Sequence, residues 1–185
     1  MRIFLAVPIG ERLRRSVATD LDAWRPRLRI AWTRPETWHL TLQFLGDWPE
    51  DRVDGLVAAL RERDWPSAFT IAPGGLGAFP NLHRPRVLFL QMEGEGQVAD
   101  LARRVRSVVH EVWPEGPQDD KPFRGHLTLA RIKRPLGRGD HDLLSEISLD
   151  DLPPLPVDGF RLVASTLHRD GARYRILAGF DLSPG

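Results

Sequence analysis

"WHLTLQFLG" (residues 38–46) and "GHLTLARIK" (residues 125–133) share four consecutive letters, His-Leu-Thr-Leu, and 87 positions separate His39 from His126. Six histidines in 185 residues make that recurrence a poor accident, so it calls for a structural reason. Successive side chains of a β-strand point to opposite faces. Leu40 and Leu42 therefore share one face of a strand and Leu127 and Leu129 share one face of another, as residues facing a core do. His39 with Thr41, and His126 with Thr128, occupy the other faces. Each tetrapeptide reads as a strand anchored by two leucines that presents a proton-transfer group beside a hydroxyl.

Working outward, "RIFLAVP" (residues 2–8) reads as a buried strand closed by a Pro-Ile-Gly turn. Leu13, Val17, Leu21 and Trp24 then recur at helical spacing. "RIAWTR" and the first His-Leu-Thr-Leu segment predict two strands parted at Pro35. "DWPE" predicts a helix start capped by Asp47, with Pro49 in the first turn and Val53, Leu56, Val57 and Leu60 on the buried face. "AFTIAPGGLGAFPN" predicts a strand that dissolves into a Gly/Pro-rich loop. "RVLFLQME" predicts a strand, and Val98, Leu101, Val105, Val108, Val109 and Val112 mark a long amphipathic helix. After the second tetrapeptide come a basic loop, "KRPLGRGD", a short helix around residues 143–147 and the Pro-rich "DLPPLP". The closing segment predicts two strands joined by an Asp170-Gly171 turn.

This order has hairpin-like neighbours and no sustained strand–helix–strand series, which predicts an α+β fold with mostly antiparallel sheet. The two halves match, each with one His-Leu-Thr-Leu strand and a long helix. The expectation is one domain, residues 1–185, of two pseudo-twofold-related lobes with flanking helices and the active cleft between them.

Composition narrows the function. A net charge of +1 argues against a coat protein held on nucleic acid by charge alone. The absence of cysteine excludes disulfides and thiolate–metal sites. The amino terminus has too short an apolar run for a signal peptide, and no stretch approaches the roughly 18 apolar residues a membrane span needs. A cytoplasmic protein without membrane contact is expected, and self-contained lobes predict a monomer. The histidines lack the spacing of common zinc sites, the glycines fit no phosphate-loop fingerprint, and no Gly-x-Ser-x-Gly elbow occurs. No metal and no cofactor are expected.

Two histidines and two threonines meeting in one cleft suit in-line cleavage of a phosphodiester. With an unperturbed pKa of about 6.5, one imidazole can take a proton while the other gives one. The threonine hydroxyls can hold the nonbridging oxygens. A strained five-membered cyclic phosphate is an apt substrate, with water as the nucleophile.

The paired motifs resemble the 2H phosphoesterase superfamily. Together with "RIFLAVP", "RPRVLFL" and "LVASTLHRDGARYRIL", they are most similar to the RNA 2′,3′-cyclic phosphodiesterases, also called 2′-5′ RNA ligases, over essentially the whole chain. The resemblance implies that His39 gives a proton to the leaving ribose oxygen and that His126 activates water. It further implies that Thr41 and Thr128 bind the phosphate, with a 2′-phosphate end as product. Arg131 matches an arginine that the family places near the phosphate, although strict alternation sends it to the leucine side unless a bulge intervenes. Gly125 stands where relatives commonly carry proline. The implied partner is RNA ending in a 2′,3′-cyclic phosphate, tRNA fragments among them, and the same groups run backwards would join RNA ends. Two other readings stay open: a small-nucleotide cyclic phosphodiesterase, acting for example on ADP-ribose cyclic phosphate, and an RNA-end binding module. Ser165, Thr166, Arg134, Arg138, Trp32, Trp38 and Phe44 are further candidates for the cleft, each with a plainer role available on the surface or in the core.

Overall fold

The structure, a computed structural model, describes residues 1–93, 95–116, 122–169 and 171–184. Along the chain run β1 (Arg2–Pro8), α1 (Glu11–Asp22), β2 (Ala31–Trp32), β3 (His39–Asp47), α2 (Val53–Arg61), β4 (Phe69–Ile71), β5 (Pro73–Phe79), β6 (Val87–Met92), α3 (Glu95–Val112), β7 (His126–Arg131), α4 (Arg138–Glu146), β8 (Leu155–Val157), β9 (Gly159–His168) and β10 (Gly171–Asp181). An eight-stranded antiparallel sheet has the order β10-β9-β1-β3-β7-β6-β5, with β2 also paired to β7.

The sheet is organised around its centre, where Leu40 of β3 faces Leu127 of β7. A second pair, β4 with β8, joins the same two halves, with Thr70 opposite Pro156. Apart from β2, which lies between α1 and β3, each half runs strand, helix, His-Leu-Thr-Leu strand, helix, short strand, strand: β1-α1-β3-α2-β4-β5 and then β6-α3-β7-α4-β8-β9. The last strands are exchanged. β5 of the first half pairs with β6 of the second, and β9 of the second pairs with β1 of the first. The α+β antiparallel expectation is met, and the two lobes share one continuous sheet. β10 has no counterpart and lengthens the first lobe's wing.

One face of the sheet carries the core. Leu40, Leu42, Leu127 and Leu129 are all buried among Leu13, Val17, Leu21, Leu56, Leu60, Val98, Leu101, Val105 and Leu144 from the four helices. Each such leucine contributes about 1.5–3 kcal/mol by leaving water. The opposite face has only a small buried cluster, Phe4, Ala6 and Val163, and is otherwise open.

The details differ from the sequence pattern in four places. The Gly/Pro-rich loop is instead the edge strand β5, because β6 offers it a ladder along residues 73–79. Asp47 caps no helix. It ends β3 opposite Arg2, and α2 is entered through a 3-10 turn, Glu50–Arg52, with no side-chain cap. Helix α4 begins inside the expected basic loop, where the Asp140 carboxylate accepts from the Gly137 N–H at 3.2 Å. The strand expected in "RIAWTR" shrinks to Ala31–Trp32, and "DLPPLP" leads into β8. Of the expected Asp170-Gly171 turn, Asp170 lies outside the described residues, while Gly171 has φ +117°. No helix among the described residues is long and apolar enough to cross a membrane.

Candidate active site

His39 and His126 begin β3 and β7 on the open face, on either side of the central pair. Each ring is held the same way. His39 Nδ1 lies 2.8 Å from the Thr37 carbonyl oxygen, and His126 Nδ1 lies 2.7 Å from that of Arg124. A carbonyl oxygen can only accept, so Nδ1 carries the proton in both rings, and Nε2 is left at the far end of each for chemistry.

Each imidazole also leans on two aromatic rings that the sequence pattern did not single out. Phe4 of β1 stacks on His39 at 4.6 Å between centroids, and Tyr174 of β10 meets it edge-on at 5.4 Å. Phe89 of β6 and Phe79 of β5 flank His126 at 5.4 and 5.1 Å. The supports do not hold matching places in the two halves: Phe89, opposite Thr128, corresponds to Ala6, opposite Thr41, and Phe4 corresponds to Val87. Phe89 lies across Gly77, where a Cβ would come within 2.5 Å of its ring. The next strands differ as well. In β9 the place of Phe79 is taken by Val163, opposite Phe4, and it is Tyr174 of β10 that reaches His39.

Burial pushes the His39 imidazole below its ordinary pKa, the Thr37 carbonyl opposes this, and the charge of His126 adds to the lowering. That coupling sets the histidines in one electrostatic neighbourhood. Burial raises the Tyr174 phenol, while the positive charges of Arg131 and Arg2 oppose the rise.

Thr41 and Thr128 keep the parity of the histidines, opposite Ala6 and Phe89, and are half-buried. Arg131 reaches the same face because β7 is irregular between Thr128 and Ala130. There Leu129 has no register partner in β6, Ala130 turns to the core opposite Leu88, and Arg131 pairs with Val87. An extra residue of this kind resets the alternation. The same break occurs in β3 at Leu42, which leaves Gln43 3% exposed on the core side and sends Phe44 out on the open face. The bulge in β7 is braced by Thr33. Its hydroxyl lies 2.7 Å from the Leu129 carbonyl oxygen and 2.9 Å from that of Thr128, and it accepts from Trp38 Nε1 at 2.7 Å.

The remaining candidates divide. Trp38 is buried in the core, and Trp32 is tied through Nε1 to the Leu28 carbonyl. Phe44 stands on the open face with the Arg2 guanidinium over its ring at 4.9 Å. Ser165 lies beside Tyr174, and Thr166 is exposed on the hairpin. Arg134 sits near Asp140 at 3.8 Å on the surface, and Arg138 opens α4. The Gly125 carbonyl accepts from the Met92 N–H, and a Cβ at Gly125 would meet the Met92 carbonyl oxygen at 3.1 Å.

The chain is similar to known proteins in sequence and in fold. Residues 7–89 match the family model described as LigT like Phosphoesterase. A Thermus thermophilus protein named RNA 2′,3′-cyclic phosphodiesterase is 36% identical over 98% of this chain and 90% of its own. An Archaeoglobus fulgidus protein of the same name is 32% identical over 98% of this chain and 100% of its own. A crystal structure from Thermus thermophilus superposes with a TM-score of 0.81 at 34% identity, covering 100% of this chain and 99% of that one. E. coli LigT complexed with 3′-AMP shares the fold, with a TM-score of 0.76 at 24% identity over 98% of both chains.

Proposed function

Since this chain belongs to the LigT-like RNA 2′,3′-cyclic phosphodiesterase family, we propose that it opens the 2′,3′-cyclic phosphate of an RNA end to a 2′-phosphate, using its two histidines as acid and base. The observation that carries the reading is the identical pinning of both rings through Nδ1, which frees both Nε2 atoms over one open face. A water oxygen attacks phosphorus and passes its proton to Nε2 of His126. The bond from phosphorus to O3′ breaks, and O3′ takes the proton from Nε2 of His39. The hydroxyls of Thr41 and Thr128 donate to the nonbridging oxygens, and the guanidinium of Arg131 balances their charge. If the 5′-hydroxyl of a second RNA replaces water, the same groups form a 2′-5′ linkage.

His39 is biased toward its neutral form in the open site, so its acid form depends on the substrate. An anionic phosphate beside the ring favours the imidazolium, and binding draws in the proton that O3′ later receives. Each histidine contributes about 10²–10⁴ in rate. The test is a short RNA with a 2′,3′-cyclic phosphate end, incubated with EDTA and resolved by product isomer, with His39→Ala and His126→Ala alongside. The expected result is a 2′-phosphate product from the parent enzyme and a loss of at least about 100-fold in each variant. A 3′-phosphate product, or turnover that survives both substitutions, overturns the assignment.

A further inference from the structure

The open face is lopsided. Beyond His126 the sheet ends at β5, and Phe79 fills the corner against Phe89 and the imidazole. Beyond His39 the sheet continues through β9 to the extra strand β10, where Val163 holds the place of Phe79 and Tyr174 meets the imidazole edge-on. The exposed large apolar residues of the described chain are Phe44 (43% exposed), Leu82, Leu167 (69%), Tyr174 (39%) and Ile176 (64%). Leu167, Tyr174 and Ile176 hold register positions on this face of this wing, and Phe44 stands beside it on β3, opposite Phe4. Ile176 is opposite Val163, itself packed with Phe4, and Tyr174 and Leu167 follow at alternate positions. Apolar side chains gathered in this way on one face mark a surface that receives something.

Charge on the wing says what. Arg2 lies over Phe44 and makes no ion pair among the described residues, although Asp47 is its register partner. Arg2 stands two residues along β1 from Phe4, about 7 Å by strand rise, and Phe4 stacks on His39. An aromatic platform followed by an unneutralised guanidinium one nucleotide step away is how single-stranded nucleic acid is held. Chemistry fixes the side as well. O3′ leaves phosphorus but stays on its ribose, so the nucleoside must lie next to the acid, and the platform lies next to His39.

Resting on the proposed reaction, we infer that the β1–β9–β10 wing is an oligonucleotide subsite. The terminal nucleoside lies on Tyr174 and Ile176, and Arg2 takes the preceding backbone phosphate. The substrates are then oligonucleotide ends, and a cyclic mononucleotide fills only half the site.

The experiment compares a 2′,3′-cyclic mononucleotide with a dinucleotide bearing the same end, for the parent enzyme, Arg2→Gln and Ile176→Ser. Both substituted side chains are exposed, and thermal unfolding checks that the variants fold. Binding of the corresponding 2′-phosphate mono- and dinucleotides is measured in parallel, because it needs no turnover. The parent enzyme should favour the dinucleotide at least about tenfold in kcat/KM, through KM. Arg2→Gln should erase that preference, leave the mononucleotide unchanged, and flatten the salt dependence of dinucleotide binding by a slope of about 0.7, the value for one phosphate contact on a single strand. Ile176→Ser should weaken both ligands. Equal use of the two substrates, or a preference that survives Arg2→Gln, overturns the subsite. Absent turnover with the binding preference intact overturns the reaction and leaves the subsite standing.

Discussion

Replacing Gly77 by alanine should disable the second histidine without touching it. A Cβ at this position would sit 2.5 Å from Cε2 and 2.6 Å from Cζ of Phe89, where ordinary carbon contacts are about 3.5–4.0 Å. The ring must therefore retreat by about 1 Å, and it is not free to do so alone. Phe79 rests on it at 4.4 Å, and both rings hold the His126 imidazole. Overpacking of this size costs about 1–3 kcal/mol, or a fall in Tm of about 2–12 °C for a chain this long. A catalytic group misplaced by about 1 Å costs about 100-fold in rate. Gly75→Ala is the control, since a Cβ there meets nothing within 4 Å, and it should stay within about 0.5 kcal/mol of the parent. The assay pairs single-turnover hydrolysis of a cyclic-phosphate RNA with a thermal melt. A Gly77→Ala protein with the parent's rate and Tm would refute the stacking argument. A lowered Tm with an unchanged rate would mean that the aromatic pair stabilises the sheet but does not aim His126.

Two other expectations come from the same geometry. Desolvation, with the charge of His126 adding to it, lowers the His39 pKa in the free protein. The same depression makes the unfolded chain the better proton binder, so His39 lowers stability as pH falls through about 6.5 toward its folded value, and His39→Ala should flatten the melt in that window. Separately, Thr33→Val removes the hydroxyl that links Trp38 to the Leu129 carbonyl. The loss should be about 1–3 kcal/mol by calorimetry, with a raised KM because the bulge that directs Arg131 loosens. Unchanged KM would show that Arg131 keeps its place without the brace.

Much of the site was legible because strand parity is a local property. His39 and Thr41 against Leu40 and Leu42 needed only the two-residue period, and the recurrence pointed to two matching halves. Arg131 was not legible by that rule. The bulge at Leu129 depends on how β6 lies beside β7 and on Thr33, from a segment nearly a hundred residues away. Strand β5 was hidden for a related reason. Glycine and proline disfavour a strand on intrinsic grounds, but here β6 supplies the ladder, and the missing side chain at Gly77 makes room for Phe89. The aromatic partners Phe4, Tyr174, Phe79 and Phe89 come from strands whose adjacency only the sheet order reveals. The Asp47 cap failed because pairing with Arg2 extends β3 through the residue that would have started a helix.

The exchange of β5 and β9 between halves also governs how the molecule can fail. Phe79, on a strand contributed by the first half, steadies His126 in the second, while the second half contributes Tyr174 to His39 in the first. The two histidines are thus cross-wired. Fraying at either rim of the sheet disturbs the histidine belonging to the opposite repeat, and a chain severed between β5 and β6 would leave each fragment carrying a ring whose companion had gone with the other.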